Sequence, residues 1–243
     1  MYVPPEKDNR PIRWFREGIQ GGLSIAIGYA PIALAYGFIA KATGLTLVQA
    51  VLMSVFVYAG ASQYMALDMI AKQIGTVEII LTTFIVNIRH FLMSASLNEK
   101  MEKDRFWKKA LYAFGLTDET FSVAAIQNGE IKTAYLFGLN GISYLSWVFF
   151  SAVGFLVGSG LPDIFREGMS IALYAMFVGL LVPSLKGSRK ALYLAGMSGL
   201  LNSFFVLNGL LSAGWSIMLS TLLASVFVEL LVRWREKMVE RNG

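Results

Sequence analysis

The chain is 243 residues long, 56% hydrophobic and only 15% charged, with a formal net charge of +5; soluble domains carry about a quarter charged residues. It has no cysteine and one histidine, which excludes disulfides, thiolate metal sites and a cysteine nucleophile, and leaves no expected metal centre or cofactor. No nucleic-acid-binding motif accompanies the basic excess, which cytoplasmic loops explain.

Charges gather between long apolar runs. Charge-free stretches cover 18–40, 47–67, 133–162, 168–185 and 191–228, and about 20 apolar residues cross the hydrocarbon as a helix. The pattern predicts an all-α, polytopic transmembrane bundle over 1–243 as a single domain, behind a polar segment 1–17. Seven spans are expected, at 18–40, 47–71, 76–97, 133–158, 168–185, 191–209 and 213–232. A bacterial-type cytoplasmic membrane is the expected location.

The first segment contains Gly28, Tyr29 and Pro31. Proline removes a helix hydrogen bond and clashes with the preceding turn, so a kinked crossing helix and a broken, re-entrant hairpin both fit. Tyr29 lies in this break and joins the candidate substrate-binding residues. The second segment carries Tyr58-Ala59-Gly60-Ala61-Ser62-Gln63. Its small residues allow close packing or local unwinding at Gly60, and Ser62 and Gln63 offer hydrogen-bonding groups at membrane depth. A tight packing seam is the plainer reading of the same residues.

The third segment is the most informative, because Asn87, Arg89 and His90 lie at its middle. An arginine near the bilayer centre costs roughly 2.5–3.5 kcal/mol on insertion scales and persists only beside a partner or a polar cavity. Asn87 and His90 share a helix face. Asp118 and Glu119 are the candidate anions, in an acidic, interrupted helix that follows the basic loop within 98–128. They also suit a plain helix start, with Thr117 as N-cap. Asp68 and Glu78 are read as interface residues outside the site.

Gly18-x-x-x-Gly22 and Gly154-x-x-x-Gly158 are weakly specific close-packing motifs. Phe56-Val57 and Phe177-Val178, like Asn87 and Asn208, repeat at the same spacing; inverted three-helix halves would produce such a pattern, although the matches are few. Loops 98–109 and 186–190, the tail 233–243 and the N-terminal segment are all basic. Three full spans before the first loop would put the N-terminus on the wrong side. A re-entrant first segment would remove the conflict, and the N-terminal side is left open.

Taken together, Gly28-Tyr29-x-Pro31, Gly44-Leu45, Ala59-Gly60-Ala61-Ser62-Gln63, Asn87-x-Arg89-His90 and Thr117-Asp118-Glu119 make the chain resemble the AzlC-type family, the large subunit of branched-chain amino acid exporters. The resemblance runs over roughly 14–232 and is densest in the first half; Tyr58 stands where the family pattern suggests Phe. It implies proton-driven export of Leu, Ile and Val, often with Met, and a small hydrophobic AzlD-type partner subunit. On that reading Tyr29, Ser62, Gln63 and Asn87 contact substrate. Arg89, His90, Asp118 and Glu119 serve ion pairing or coupling. Two rivals remain: an intramembrane serine protease using Ser62 and His90, and a passive channel or assembly subunit.

Overall fold

The computed structural model describes residues 11–158 and 188–242, with isolated positions 178, 182 and 185 between them. Most of the expected span 168–185 and most of segment 1–17 lie outside the described residues, as does Phe177 of the proposed repeat. Nine helices occur in this part: α1 (Pro11–Ala42), α2 (Leu47–Phe56), α3 (Gly60–Ala71), α4 (Thr76–Asn98), α5 (Phe106–Phe114), α6 (Asp118–Ala125), α7 (Thr133–Val157), α8 (Arg189–Leu207) and α9 (Ala213–Asn242). No strand forms among the described residues beyond one isolated bridge, Met101 with Ile131. Among the described residues, five helices are long and apolar enough to cross a membrane: α1, α4, α7, α8 and the Gly214–Trp234 part of α9. The protein is an all-α polytopic membrane bundle.

The chain divides into two compact units, residues 1–67 with 87–169, and residues 68–86 with 170–243. The first is built on α1 and α7. A Cβ placed on Gly18 would lie 2.0 Å from the Tyr135 carbonyl oxygen, on Gly138 2.1 Å from that of Phe15, on Gly37 2.0 Å from that of Ser151, and on Gly154 2.1 Å from that of Leu34. The two backbones are therefore in direct contact, and only glycine fits at the crossings. Early residues of α1 meet early residues of α7, and late meet late, so the helices run parallel.

α1 is continuous through Gly28 and Pro31, which corrects the expected break there. A helix absorbs one proline by losing a single hydrogen bond when its neighbour holds it on both sides of the gap. The break falls instead in the second segment. The expected span 47–71 is two short helices, α2 and α3, separated at Val57–Ala59. Thr46 starts α2 with a capping box to Gln49, and Gly44, at φ +89°, makes the preceding turn. Tyr36 donates to the Ala50 carbonyl at 3.1 Å and packs edge-on against Tyr64 of α3, centroids 6.0 Å apart. Both legs thus pass the same level of α1, and their junction reaches Trp147: α2–α3 is a re-entrant hairpin.

A second hairpin follows. α5 climbs from the basic loop to Gly115, whose added Cβ would strike Asn140, and α6 descends until Gln127 donates to the Tyr135 hydroxyl at 3.0 Å. The loop is latched to the start of α7: Ile131 N–H donates to the Lys100 carbonyl at 2.8 Å, Glu102 N–H to the Ile131 carbonyl at 3.1 Å, and Thr133 N–H to Glu102 at 2.8 Å. With α1 and α7 parallel, Arg13, Arg16, Lys132 and the basic loop share one face, which the positive-inside rule assigns to the cytoplasm. The sidedness conflict is resolved by a re-entrant second segment, not a re-entrant first one.

In the second unit α8 and α9 form an antiparallel pair. Lys190 bonds Glu229 at 2.5 Å, and Ser216 donates to Asn202 Oδ1 at 2.7 Å. Glu78 accepts the Trp215 N–H at 3.1 Å and the Ser212 hydroxyl, so it satisfies the opening turn of α9. Asn208 closes the C-terminus of α8, whereas Asn87 lies inside α4; the two are not structural equivalents.

Candidate functional site

The two hairpins enter the first unit from opposite faces, and their tips, Val57–Gly60 and Gly115–Thr117, come together beside Tyr29 and Trp147. Tyr58 packs edge-on against Tyr144, centroids 5.0 Å apart, and Tyr144 in turn meets Phe114 at the end of α5. Tyr144 also donates to the Val55 carbonyl at 3.0 Å, filling an acceptor that the end of α2 leaves open. The N-terminus of α3 points into this centre. Its first N–H groups have no acceptor within the helix, and a helix N-terminus favours anions.

The sequence-derived residues sort into distinct clusters. Ser62, fully buried, donates to Asn87 Oδ1 at 2.7 Å; this leaves the Asn87 amide nitrogen as a donor. Tyr29, 7% exposed, places its hydroxyl 2.6 Å from Glu119 Oε2 and 2.7 Å from Thr117 Oγ1. With one proton to give, it donates to the carboxylate and accepts from threonine. α6 starts at this point because Thr117 and Thr120 form a reciprocal capping box. The N-cap role considered for Thr117 is therefore real, and it holds the two acids in place.

Arg89 pairs with Asp118 at 2.8 Å, both about one-third exposed. Glu119 makes no ion pair among the described residues. His90 Nδ1 lies 2.9 Å from the Leu116 carbonyl oxygen. A carbonyl only accepts, so Nδ1 carries the proton, and the buried Nε2, without a partner, keeps its lone pair. Ser62 turns to Asn87 and His90 to Leu116, so the two form no Ser–His hydrogen bond. The protease reading loses its dyad.

Gln63 is fully buried in a network of its own. Its amide nitrogen donates to Ser54 at 3.1 Å and its oxygen accepts from Trp147 Nε1 at 2.7 Å. Ser54 bonds Ser151 at 3.0 Å, and Ser151 donates to the Trp147 carbonyl at 2.7 Å. This ties both hairpin legs to α7. Gly60 abuts the six-membered ring of Trp147, where a Cβ would come within 2.8 Å. Trp147, Ser151 and Tyr144 were missed from sequence. Asn140, Ser143, Trp147 and Ser151 repeat at helical spacing, so one polar face of α7 was the available signal.

These features define an integral membrane protein with polar side chains gathered at the meeting point of two broken-helix hairpins. The profile of the AzlC protein family matches residues 24–161, and the chain belongs to that family. Similar proteins include an uncharacterized membrane protein of Archaeoglobus fulgidus, 34% identical over 71% of this chain and 77% of its own length. Inner membrane protein YgaZ of Escherichia coli K12 is 32% identical over 77% and 80%. The branched-chain amino acid transport protein AzlC of Bacillus subtilis is 25% identical over 72% and 70%. No solved structure matches significantly.

Proposed function

We propose that the protein is a secondary transporter that exports branched-chain and similar hydrophobic amino acids across the cytoplasmic membrane, coupled to protons. It works as the large subunit beside a small hydrophobic AzlD-type partner. The observation that carries this reading is the polar centre between the hairpins, since a zwitterion at mid-membrane needs both of its charges satisfied. The α3 N-terminus and the Asn87 amide nitrogen, whose oxygen is held by Ser62, offer donors to a carboxylate. Glu119, held by Tyr29, offers an anion. The name of the Bacillus subtilis relative supports this substrate class.

Arg89 and Asp118 neutralise each other and fix α6 against α4. Glu119 and His90 are the groups able to carry the coupling proton. Gln63 holds the hairpin in shape rather than touching substrate. The test is leucine efflux from cells expressing the chain with and without its partner: Asn87→Ala abolishes efflux while the protein inserts at normal levels. Unchanged efflux in that variant removes the site from this reading. Efflux that persists, unaltered, when the proton gradient is collapsed removes the coupling and favours a channel.

A further inference from the structure

The acidic pair on α6 is asymmetric. Asp118 has a cationic partner in Arg89, while Glu119 is held by the Tyr29 hydroxyl and has no countercharge among the described residues. A second phenol faces the same carboxylate. Tyr58, 5% exposed, has its hydroxyl within electrostatic reach of Glu119 and close to that of Tyr29, yet in no hydrogen bond of normal geometry. Tyr29 is walled by Trp147, edge-on with centroids 5.3 Å apart. A carboxylate among aromatic faces, with one buried hydroxyl unspent, is complementary to a primary ammonium: charge to charge, ring faces around the cation, and phenol oxygen to N–H.

Resting on the export reading, we propose that Glu119, with Tyr29 and Tyr58, is the subsite for the substrate's ammonium group and also the site of the transported proton, the two excluding each other. The cytoplasm-facing carrier binds the ammonium against ionised Glu119. On the outer side the substrate leaves and a proton from that side takes the same Oε2 oxygen; on return that proton is released inward. One carboxylate that holds either cation and not both makes the exchange obligatory. Other titratable groups near Glu119 are Tyr29 from α1, Tyr58 from the hairpin tip, Asp118 on its own helix and His90 from α4, while Arg89 of α4 is taken up by its pair with Asp118. His90 is the only rival proton carrier among them with a free lone pair.

The experiment is equilibrium binding of radiolabelled leucine to the purified full-length protein between pH 5 and 8. A proton and the ammonium competing for one carboxylate weaken leucine binding as pH falls, by up to about tenfold per pH unit. Three variants accompany it. Glu119→Gln binds at least tenfold more weakly and without pH dependence. His90→Gln keeps the wild-type pH dependence. Tyr58→Phe weakens leucine and isoamylamine alike and leaves the pH dependence in place. The deaminated acid 4-methyl-2-oxopentanoate does not compete with leucine.

Leucine affinity that is flat with pH, or pH dependence lost in His90→Gln and kept in Glu119→Gln, overturns the shared site and leaves the export reading standing. If leucine does not bind but isoamylamine does, in competition with protons, the cation subsite stands and the amino acid reading falls. If neither binds, both fall.

Discussion

The α1–α7 seam can be tested one atom at a time. Replacing Gly154 by alanine puts a Cβ 2.1 Å from the Leu34 carbonyl oxygen and 2.7 Å from its Cα, against an ordinary contact of about 3.4 Å or more. Those are backbone atoms of a helix, so no rotamer change relieves the clash. The helices must part by an ångström or more, which also loosens the contacts at Gly37 and Gly18. Overpacking of this kind costs roughly 1–3 kcal/mol, and a rigid neighbour puts the cost at the upper end. Gly28 is the matched control, since a Cβ there meets nothing within 4 Å and it lies inside a continuous helix. Gly28→Ala is expected to be neutral or slightly stabilising, because alanine gains up to about 1 kcal/mol over glycine in a helix. Thermal unfolding of the purified variants in one detergent reads both. A Gly154→Ala protein as stable as Gly28→Ala, or a Gly28→Ala protein as damaged as Gly154→Ala, refutes the seam and the unbroken α1 respectively.

Other expectations follow from single contacts. Gln63→Leu leaves Trp147 Nε1 without its buried acceptor, removes one of the partners of Ser54 and lowers stability by about 1–3 kcal/mol, seen as a lower unfolding temperature. Thr117→Val removes the N-cap acceptor of α6 and costs about 1 kcal/mol; Glu119 then moves relative to Tyr29, so leucine affinity falls further than stability alone explains. The hydrogen bonds from Lys108 and Thr133 hold the Asp104 carboxyl below its ordinary value of 3.8. Its stabilising contribution is therefore complete above about pH 4 and lost as pH falls further; Asp104→Asn flattens that acid limb of the unfolding temperature. The natural chain has no cysteine, so single substitutions report sidedness directly. Leu45→Cys should react with an impermeant maleimide from outside intact cells and Lys103→Cys only after permeabilisation; the reverse pattern contradicts the hairpin assignment.

What could be read from sequence depended on whether local pattern or neighbours decide the outcome. Lengths of apolar runs found α4, α7 and α8 within two residues at each end, because hydrophobic thickness constrains length, whereas α1 begins before and α9 runs on beyond the apolar stretch into polar, charged residues. The polar residues inside α4 pointed to a partner for Arg89 in Asp118 or Glu119, since a charge at that depth needs one, and the structure makes it Asp118. The location of the break was not legible. Pro31 is the stronger local breaker, yet α1 is held together by the glycine contacts to α7. The weaker Tyr58–Gly60 stretch opens where the Tyr144 hydroxyl takes the freed Val55 carbonyl and the Trp147 ring packs against Gly60. Gln63 looked like a substrate ligand for the same reason that it is a good strut: an amide at membrane depth needs two partners, and the sequence does not say whose they are.

On the proposed function, a solute occupies the space between the hairpin tips, against Ser62 and Asn87. Rates of thiol modification in a Ser62→Cys protein test it most directly, with Phe91→Cys on the exposed face of α4 as the reference position. Leucine should slow modification at position 62 in a concentration-dependent way and leave position 91 unaffected. Equal rates at position 62 with and without saturating leucine contradict the account.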